Sequence, residues 1–529
     1  MTQQACIISN LSLAFPTQTM FDQLNFVLFS GQTSALIGRN GSGKSLLFKL
    51  LHFQNTSEET VNIPYNGQIA WHMQHDYLPQ LQRLTAKTIA EALEIEHFYA
   101  AFQRIENNTT NFEDYDLVEN CWDLPVKWHK VLLNAQLPTD LSCPIHQLSE
   151  GQKTKLALCR LFLKQDHYLL LDEPSNHLDH TSRKWLIKSI QAHTAGVCVI
   201  SHDQQLLNQV QHIYALNELG LQHVLGNYDD YILQYQQQFS ALEKSIHQEK
   251  SELKQIKQQQ HESLMKAQKR QRKGHQLRES NSQAKVLLDF KKEKAGQSYG
   301  KLKAQHIRKH EEAEINLQEK QVKFEKIKQQ KFEFQFKTSK QGEVLRIYDL
   351  QLPFGSTQKI NFSLNAGNKI HLKGENGIGK STLLKSIQEN SQDSDIYKSG
   401  NSLYLDQNFS FLNDELSVLD NLARFNSNIL EVEWRNLLGQ LRIRHEKSLL
   451  KLAQLSGGEK LKVALLAISH SQQNIDLLLL DEPENHLDIE SKQLLAQAII
   501  QFQGAVILVS HDHLFAEQCG IQEEYLLLP

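Results

Sequence analysis

The sequence predicts an α/β fold in which two P-loop domains are joined by a long antiparallel α-helical hairpin. Three observations carry that expectation. The loops GRNGSGKS at 38–45 and GENGIGKST at 374–382 both fit G-x-x-x-x-G-K-[ST], the pattern whose backbone N–H groups cradle phosphates. Each loop follows a β-prone apolar run (SALI, KIHL) and precedes an apolar helical one (LLFKLL, LLKSI), the strand–loop–helix setting that the pattern requires. Residues 236–335 then switch to a stretch rich in Gln, Lys and Glu with no proline. Domains are accordingly expected at 1–235, 236–335 and 336–529.

Gly38, Asn40, Gly41, Ser42, Gly43 and Lys44 are expected to wrap a nucleotide's phosphates, with the Ser45 hydroxyl on Mg²⁺. Gly374, Asn376, Gly377, Gly379, Lys380 and Thr382 repeat the arrangement, with Ser381 on the metal. Both loops open the same ordered series, so the chain reads as an internal duplication. Lys44 is followed by Gln74, by LSEGQ at 148–152, by DEPSNHLD ending at Asp179 and by SHD ending at Asp203. Lys380 is followed by Gln407, by LSGGE at 455–459, by DEPENHLD ending at Asp488 and by SHD ending at Asp512. Glu173 precedes His202 by 29 residues and Glu482 precedes His511 by 29, which independent matches would hardly produce.

The apolar runs before Asp172 and Asp481, and those before the two histidines, read as buried parallel strands. Loop, carboxylates and histidine then converge at strand ends. Asp172 and Asp481 can hold the Mg²⁺ shell, while Glu173 and Glu482 polarise the attacking water. His202 and His511 are placed to hydrogen-bond a γ-phosphate. Gln74 and Gln407, after IAWHM and SLYLD, are expected in the metal shell or its water network.

One spacing breaks the symmetry, since Gln74 to Ser149 is 75 residues and Gln407 to Ser456 is 49. The surplus is expected within about 88–135, as a small arm of two helical segments split by NNTTNFED. In the 236–335 hairpin, Leu242, Ile246, Leu253, Ile256 and Leu264 form a thin apolar seam, answered on the return by Ile315, Val322 and Ile327. Its tip sets Val286, Leu287, Leu288 and Phe290 among basic residues, Arg270, Arg278, Lys285, Lys291, Lys292, Lys294 and Lys301 included. Residues 241–340 hold 25 Lys and Arg against 13 Asp and Glu, while the whole chain is net −4. A basic zone in an otherwise acidic chain points to a polyanion partner there, through release of phosphate counterions.

At 529 residues and 40% hydrophobic, the chain can bury several ordinary cores. The opening MTQQACIISNLSLAF lacks a basic segment followed by an apolar run, and no stretch has the roughly 18–20 apolar residues of a membrane span, so neither secretion nor membrane insertion is expected. Six cysteines with no C-x-x-C pair argue against a disulfide framework or a cysteine zinc site, and fit a reducing cytoplasm.

P-loop, glutamine, LS-x-G-[QE], apolar-DE and SHD, in this order, resemble an ATP-binding cassette (ABC) ATPase. Two such cassettes without a membrane domain, NHLD after both DEP motifs, a charged hairpin between them and GNYDDY at 226–231 look like the ABC-F subfamily. The resemblance covers essentially the whole chain. It implies two ABC-type ATPase domains that close head to tail over two ATPs. Ser456 and Gly458 would complete the Lys44 site, and Ser149 and Gly151 the Lys380 site. It also implies that Phe15 and Phe354 stack on adenine, where the family more often has tyrosine. Glu150 stands where the signature usually has its first glycine, so its carboxylate either weakens closure at the Lys380 site or points into solvent.

Proteins of this subfamily are cytoplasmic ribosome-binding ATPases whose ATP-closed form enters the tRNA exit site, the hairpin reaching toward the peptidyl-transferase centre. The resemblance thus implies a monomer that pairs its own cassettes and meets rRNA and tRNA through the linker and tip at 266–310. Antibiotic resistance by ribosome protection is the narrower alternative. A transporter subunit fits poorly, because the cassettes are already joined through the hairpin. A DNA-repair ATPase would better fit a basic coiled coil at the C-terminus, and only 18 residues follow His511.

Overall fold

The computed structural model describes all residues other than 1–2, 16–17, 54–64, 81–84, 177, 280–284, 329–331, 338–340, 376, 390–394 and 529. Side chains at 277–302 and at several single positions, Leu264 and Arg270 among them, also lie outside the described set. The apolar island and most of the basic tip expected from the sequence therefore fall outside it, as does Asn376. Two compact units result, one of Met1–Tyr228 with Gln329–Pro529 and one of Asp229–Lys328.

In the first half, a six-stranded sheet runs in the order His75–Leu78, Tyr168–Asp172, Val197–Ile200, Thr33–Gly38, His212–Asn217 and Gly220–Leu225. All neighbours are parallel except the last pair. YLLLD and VCVI are buried at every position, as strands covered on both faces must be. The helix Lys44–Phe53 lays Leu47, Phe48, Leu50 and Leu51 on this sheet, each worth about 1.5–3 kcal/mol when fully buried. A smaller antiparallel sheet packs Gln4–Phe15 between Gln18–Phe29 and Tyr65–Trp71.

The second half repeats the plan with five parallel strands, in the order Ser402–Leu405, Leu477–Asp481, Ala505–Val509, Lys369–Lys373 and Glu523–Leu526. Because Tyr168–Asp172, Val197–Ile200 and Thr33–Gly38 are adjacent and parallel, the carboxylate, histidine and P-loop that follow them emerge at one edge of the sheet. Leu477–Asp481, Ala505–Val509 and Lys369–Lys373 do the same in the second half.

The structure narrows the insertion within 88–135. Helix Leu124–Asn134, with buried Trp128 and Leu132, has its counterpart in Glu431–Gln440, with buried Trp434 and Leu438. Thr88 caps one helix as Ser417 caps its equivalent, yet Thr88 to Trp128 is 40 residues and Ser417 to Trp434 only 17. The insertion thus lies between those landmarks. Helices Glu96–Glu106 and Phe112–Val118 fill it, tied by Arg104 donating to both oxygens of Asp114.

In the second unit, helices Tyr228–Glu279 and Lys285–Ile327 lie in one chain segment with a mostly polar seam. On the first helix, Leu242, Ile246, Glu249, Leu253 and Ile256 are buried or half-buried at alternating spacings of four and three. On the return, Ala313, Leu317, Lys320, Phe324 and Ile327 are half-buried at the same kind of spacing. Ile315 and Val322 are more than half exposed, so only Ile327 of the expected return seam belongs to it. The heptad phase is set instead by Phe324 stacking on Phe239 at 4.9 Å and by the Lys320 ammonium donating to Glu249 at 2.6 Å.

Candidate functional site

Each P-loop starts where its strand leaves the sheet. A Cβ on Gly38 would stand 2.4 Å from the Leu216 carbonyl oxygen of the neighbouring strand, so only glycine lets the chain turn there. The buried Lys44 ammonium donates to the Gly38 and Arg39 carbonyls at 2.8 and 3.0 Å, and Lys380 donates to Gly374 and Glu375 at 2.8 and 2.9 Å. Burial lowers the pKa of both lysines. Ser45 hydrogen-bonds the Asp172 carboxylate, whose other near partner is Tyr77. Tyr404 donates to Asp481 at 2.7 Å in the second half.

The adjacent glutamates have left-handed backbones, φ 51° at Glu173 and 48° at Glu482, which cost non-glycine residues about 1–3 kcal/mol. Their N–H groups donate to Ile200 and Val509, fixing the turn against the histidine strand. His202 Nε2 lies 3.5 Å from Glu173 Oε1, and His511 Nε2 lies 3.2 Å from Glu482 Oε1. The two pairs differ electrostatically. Burial pushes the Glu173 carboxyl up to about 8 and, with Lys44 beside it, holds His202 well below its ordinary value. The hydrogen bond from His511 instead keeps Glu482 below the usual glutamate range.

Strand register corrects one expected site residue. Leu78 pairs with Leu171, and Leu405 with Leu480, so Tyr77 matches Tyr404 and the residue two beyond each leucine is Gln80 or Gln407. Gln74 precedes the strand His75–Leu78, and its carbonyl accepts from Tyr168 N at the far end of the sheet from Asp172. The strand's own length, about 13 Å for four residues, separates it from the carboxylates. Gln80, rather than Gln74, holds the position that Gln407 has in the second half. The signal was available in the sequence, since YLPQ aligns with YLDQ, but the nearer glutamine hid it.

The two halves meet at the first P-loop. Asn40 N donates to Asp488 Oδ2 at 2.8 Å, and the Asn40 amide to the His486 carbonyl at 2.9 Å. Arg39 Nε lies 2.6 Å from Glu490 Oε2. Asp488 also N-caps helix Ile489–Gln501 through Ser491 N. The signature of the second half packs on this same turn, where a Cβ on Gly458 would stand 2.6 Å from the Ser491 hydroxyl. Ser456 caps helix Gly457–Ser469, and Ser149 caps Glu150–Phe162 with Gly151 in its first turn. A cavity of about 30 Å³ lies between the halves, lined by Glu173, Asn176 and His202 from one and Glu484, Asn485 and Lys492 from the other.

The Glu150 side chain is 80% exposed and paired with Lys153 at 2.7 Å, so it points outward. Phe354 is 80% exposed and Phe15 41%, so neither is a core side chain. Gly379 lies against the Phe354 carbonyl, which sets that aromatic beside the second P-loop. Gly41, Ser42, Gly43, Gly377, Ser381 and Thr382 lie in or directly after their loops, as spaced in the sequence.

The family profile described as ABC transporter matches residues 21–176 and again 357–485, one match per half. The ATP-binding protein Uup of Escherichia coli K12 is 27% identical over 97% of this chain and 79% of its own length. The ribosome protection protein VmlR of Bacillus subtilis is 26% identical over 97% of this chain and 84% of its own. The chain belongs to the ABC family, in its tandem ABC-F form. Among solved structures, the archaeal ribosome recycling factor aABCE1, in complex with stalk protein aP1, shares the fold over 98% of this chain and 87% of its own, with TM-score 0.51 and 17% identity. This ABC protein is therefore an ATP hydrolase with two ATP-binding cassettes. Among the described residues, no helix is long and apolar enough to cross a membrane.

The first cassette fits a divalent ion. Asp172 Oδ1 is buried with no hydrogen-bond partner, and its carboxyl is pushed up by burial, the signature of an anion awaiting a cation.

Proposed function

We propose that this protein is a cytoplasmic, monomeric translation factor that binds the ribosome with its cassettes closed over ATP and leaves after hydrolysis. The observation that carries the reading is a basic hairpin between two cassettes that already touch across a P-loop. Lys266, Lys269, Arg272, Lys273 and Lys303 are all exposed on its helices, where they can neutralise phosphates of structured rRNA and tRNA. A relative named a ribosome protection protein supports the same partner.

In this reading the P-loop amides, Lys44 and Lys380 hold the phosphates, and Phe15 and Phe354 cover adenine. Ser45, Gln80 and Asp172 in one site, with Ser381, Gln407 and Asp481 in the other, hold Mg²⁺, which supplies charge neutralisation on the transferring phosphoryl group. Glu173 and Glu482 take the proton of the attacking water, and His202 and His511 orient it against the γ-phosphate. Ser456 and Gly458 close the Lys44 site and Ser149 and Gly151 the Lys380 site, by a helix N-terminus that favours anions. Sucrose-gradient sedimentation tests the reading. The Glu173→Gln, Glu482→Gln protein should travel with ribosomes in ATP and free of them in ADP, and sedimentation free of ribosomes in both nucleotides would overturn it.

Two further outcomes are expected. Gln80→Ala should slow ATP turnover roughly 10–100-fold, as loss of a metal-site ligand does, while Gln74→Ala leaves it unchanged. A base must be ionised, so a raised Glu173 pKa confines its activity to higher pH. With only Glu173 left, in Glu482→Gln, the rate should climb through a midpoint near 8. With only Glu482 left, in Glu173→Gln, it should already be at its plateau at neutral pH. Identical pH profiles would contradict the difference.

Drug resistance by ribosome protection is the second reading, favoured by the likeness to VmlR. Minimum inhibitory concentrations with and without the gene distinguish the two.

A further inference from the structure

Three ligand-type side chains meet in the second cassette outside the ATPase machinery. His371 sits midway along strand Lys369–Lys373, Glu524 lies beside it on Glu523–Leu526, and His513 opens helix His513–Gln518. One ring nitrogen from each histidine and one carboxylate oxygen lie within 4.8 Å of one another. The rings meet nearly edge to face, 5.6 Å between centroids.

His371 is 2% exposed, and its Nε2 lies 2.9 Å from the Ser510 carbonyl oxygen. A carbonyl can only accept, so Nε2 carries the proton and Nδ1 presents a lone pair. A backbone carbonyl that fixes the tautomer in this way is the usual outer partner of a metal-bound imidazole. The fold does not demand the cluster. The matching positions of the first cassette, set by distance from Gly38, by the residue after SHD and by strand pairing, are Ala35, Gln204 and Ile213.

We propose that His371, His513 and Glu524 form a site for a borderline divalent transition-metal ion of the zinc class. Two imidazoles and one carboxylate with an open position are a zinc-type donor set, and magnesium or calcium would want oxygen ligands instead. The Lys373 ammonium, 2.5 Å from Glu524 Oε1, competes for that carboxylate and must be displaced by the ion. An ion there ties the strand that feeds the Gly374 loop to the segment just beyond His511.

Equilibrium dialysis of the chelator-stripped full chain against zinc chloride, with excess magnesium to fill the ATPase sites, tests this. One zinc per chain is expected. His513→Gln and Glu524→Gln should each weaken binding at least about tenfold. Lys373→Ala, by freeing Glu524, should tighten it. Zinc X-ray absorption should show two imidazoles in the wild type and one in His513→Gln. No bound zinc, unchanged binding in His513→Gln, or weaker binding in Lys373→Ala would each overturn the assignment. These readouts do not depend on ATP hydrolysis, so they stand apart from the proposed ribosomal role.

Discussion

The Glu173→Gln, Glu482→Gln protein is expected to hydrolyse ATP about 10²–10⁴-fold more slowly than the parent while still binding it, because the general-base contribution is lost from both sites. Glutamine keeps the size and one acceptor of each side chain, so the left-handed turns at φ 51° and 48° need not relax. It cannot take a proton from water. Each single variant should retain turnover through the other site, and a double variant that keeps more than about a tenth of the parent rate would contradict the assignment of the base. Steady-state phosphate release with parallel nucleotide-binding measurements separates lost chemistry from lost binding.

Asp488→Ala is expected to produce the second largest effect. Asp488 is buried, caps helix Ile489–Gln501 and accepts from Asn40 N of the opposite cassette's P-loop. Losing the cap costs about 1 kcal/mol of stability. Losing a charge-assisted bond of about 1.5–3 kcal/mol across the cassettes should lower turnover at the Lys44 site roughly tenfold or more, read in a Glu482→Gln background. Asp488→Asn keeps a good cap while weakening the cross-cassette bond, so it should lose rate with little loss of stability. Equal effects of Asp488→Asn on thermal midpoint and rate would show that the residue acts on the helix alone. Arg39, whose pair with Glu490 is partly exposed, should matter less, at about 0–1 kcal/mol.

Much of this arrangement was legible in the sequence because it rests on local patterns. Fully apolar runs gave the buried parallel strands, and the 29-residue interval from glutamate to histidine repeated because the intervening helix and strand are the same in both cassettes. Three things were hidden for physical reasons. Gln74 and Gln80 flank one strand six residues apart, and the likeness of YLPQ to YLDQ gains its meaning from the pairing of Leu78 with Leu171, which puts the Gln80 end of the strand beside the carboxylates. Ile315 and Val322 are good seam residues by composition, yet the phase of a polar hairpin is set by a few specific contacts such as Phe239 on Phe324. The extent of the arm needed Trp128 and Trp434 as landmarks, since helices alone do not mark where a duplicated domain ends and an insertion begins. Contacts such as Asn40 to Asp488, 448 residues apart, have no local signal.

Glu150 shows the reverse case, in which a departure from the family pattern carries little weight. Its side chain turns outward to Lys153, and the difference between the two sites lies instead in how deeply Glu173 and Glu482 are buried and in what the paired histidines do to them.

Electron cryomicroscopy of the Glu173→Gln, Glu482→Gln protein with ribosomes and ATP tests the central claim most directly. The account predicts two ATPs, each between the P-loop of one cassette and the signature serine of the other, with the hairpin tip lying on ribosomal RNA or tRNA. Nucleotide held by one cassette alone, or a hairpin in solvent away from RNA, would contradict it.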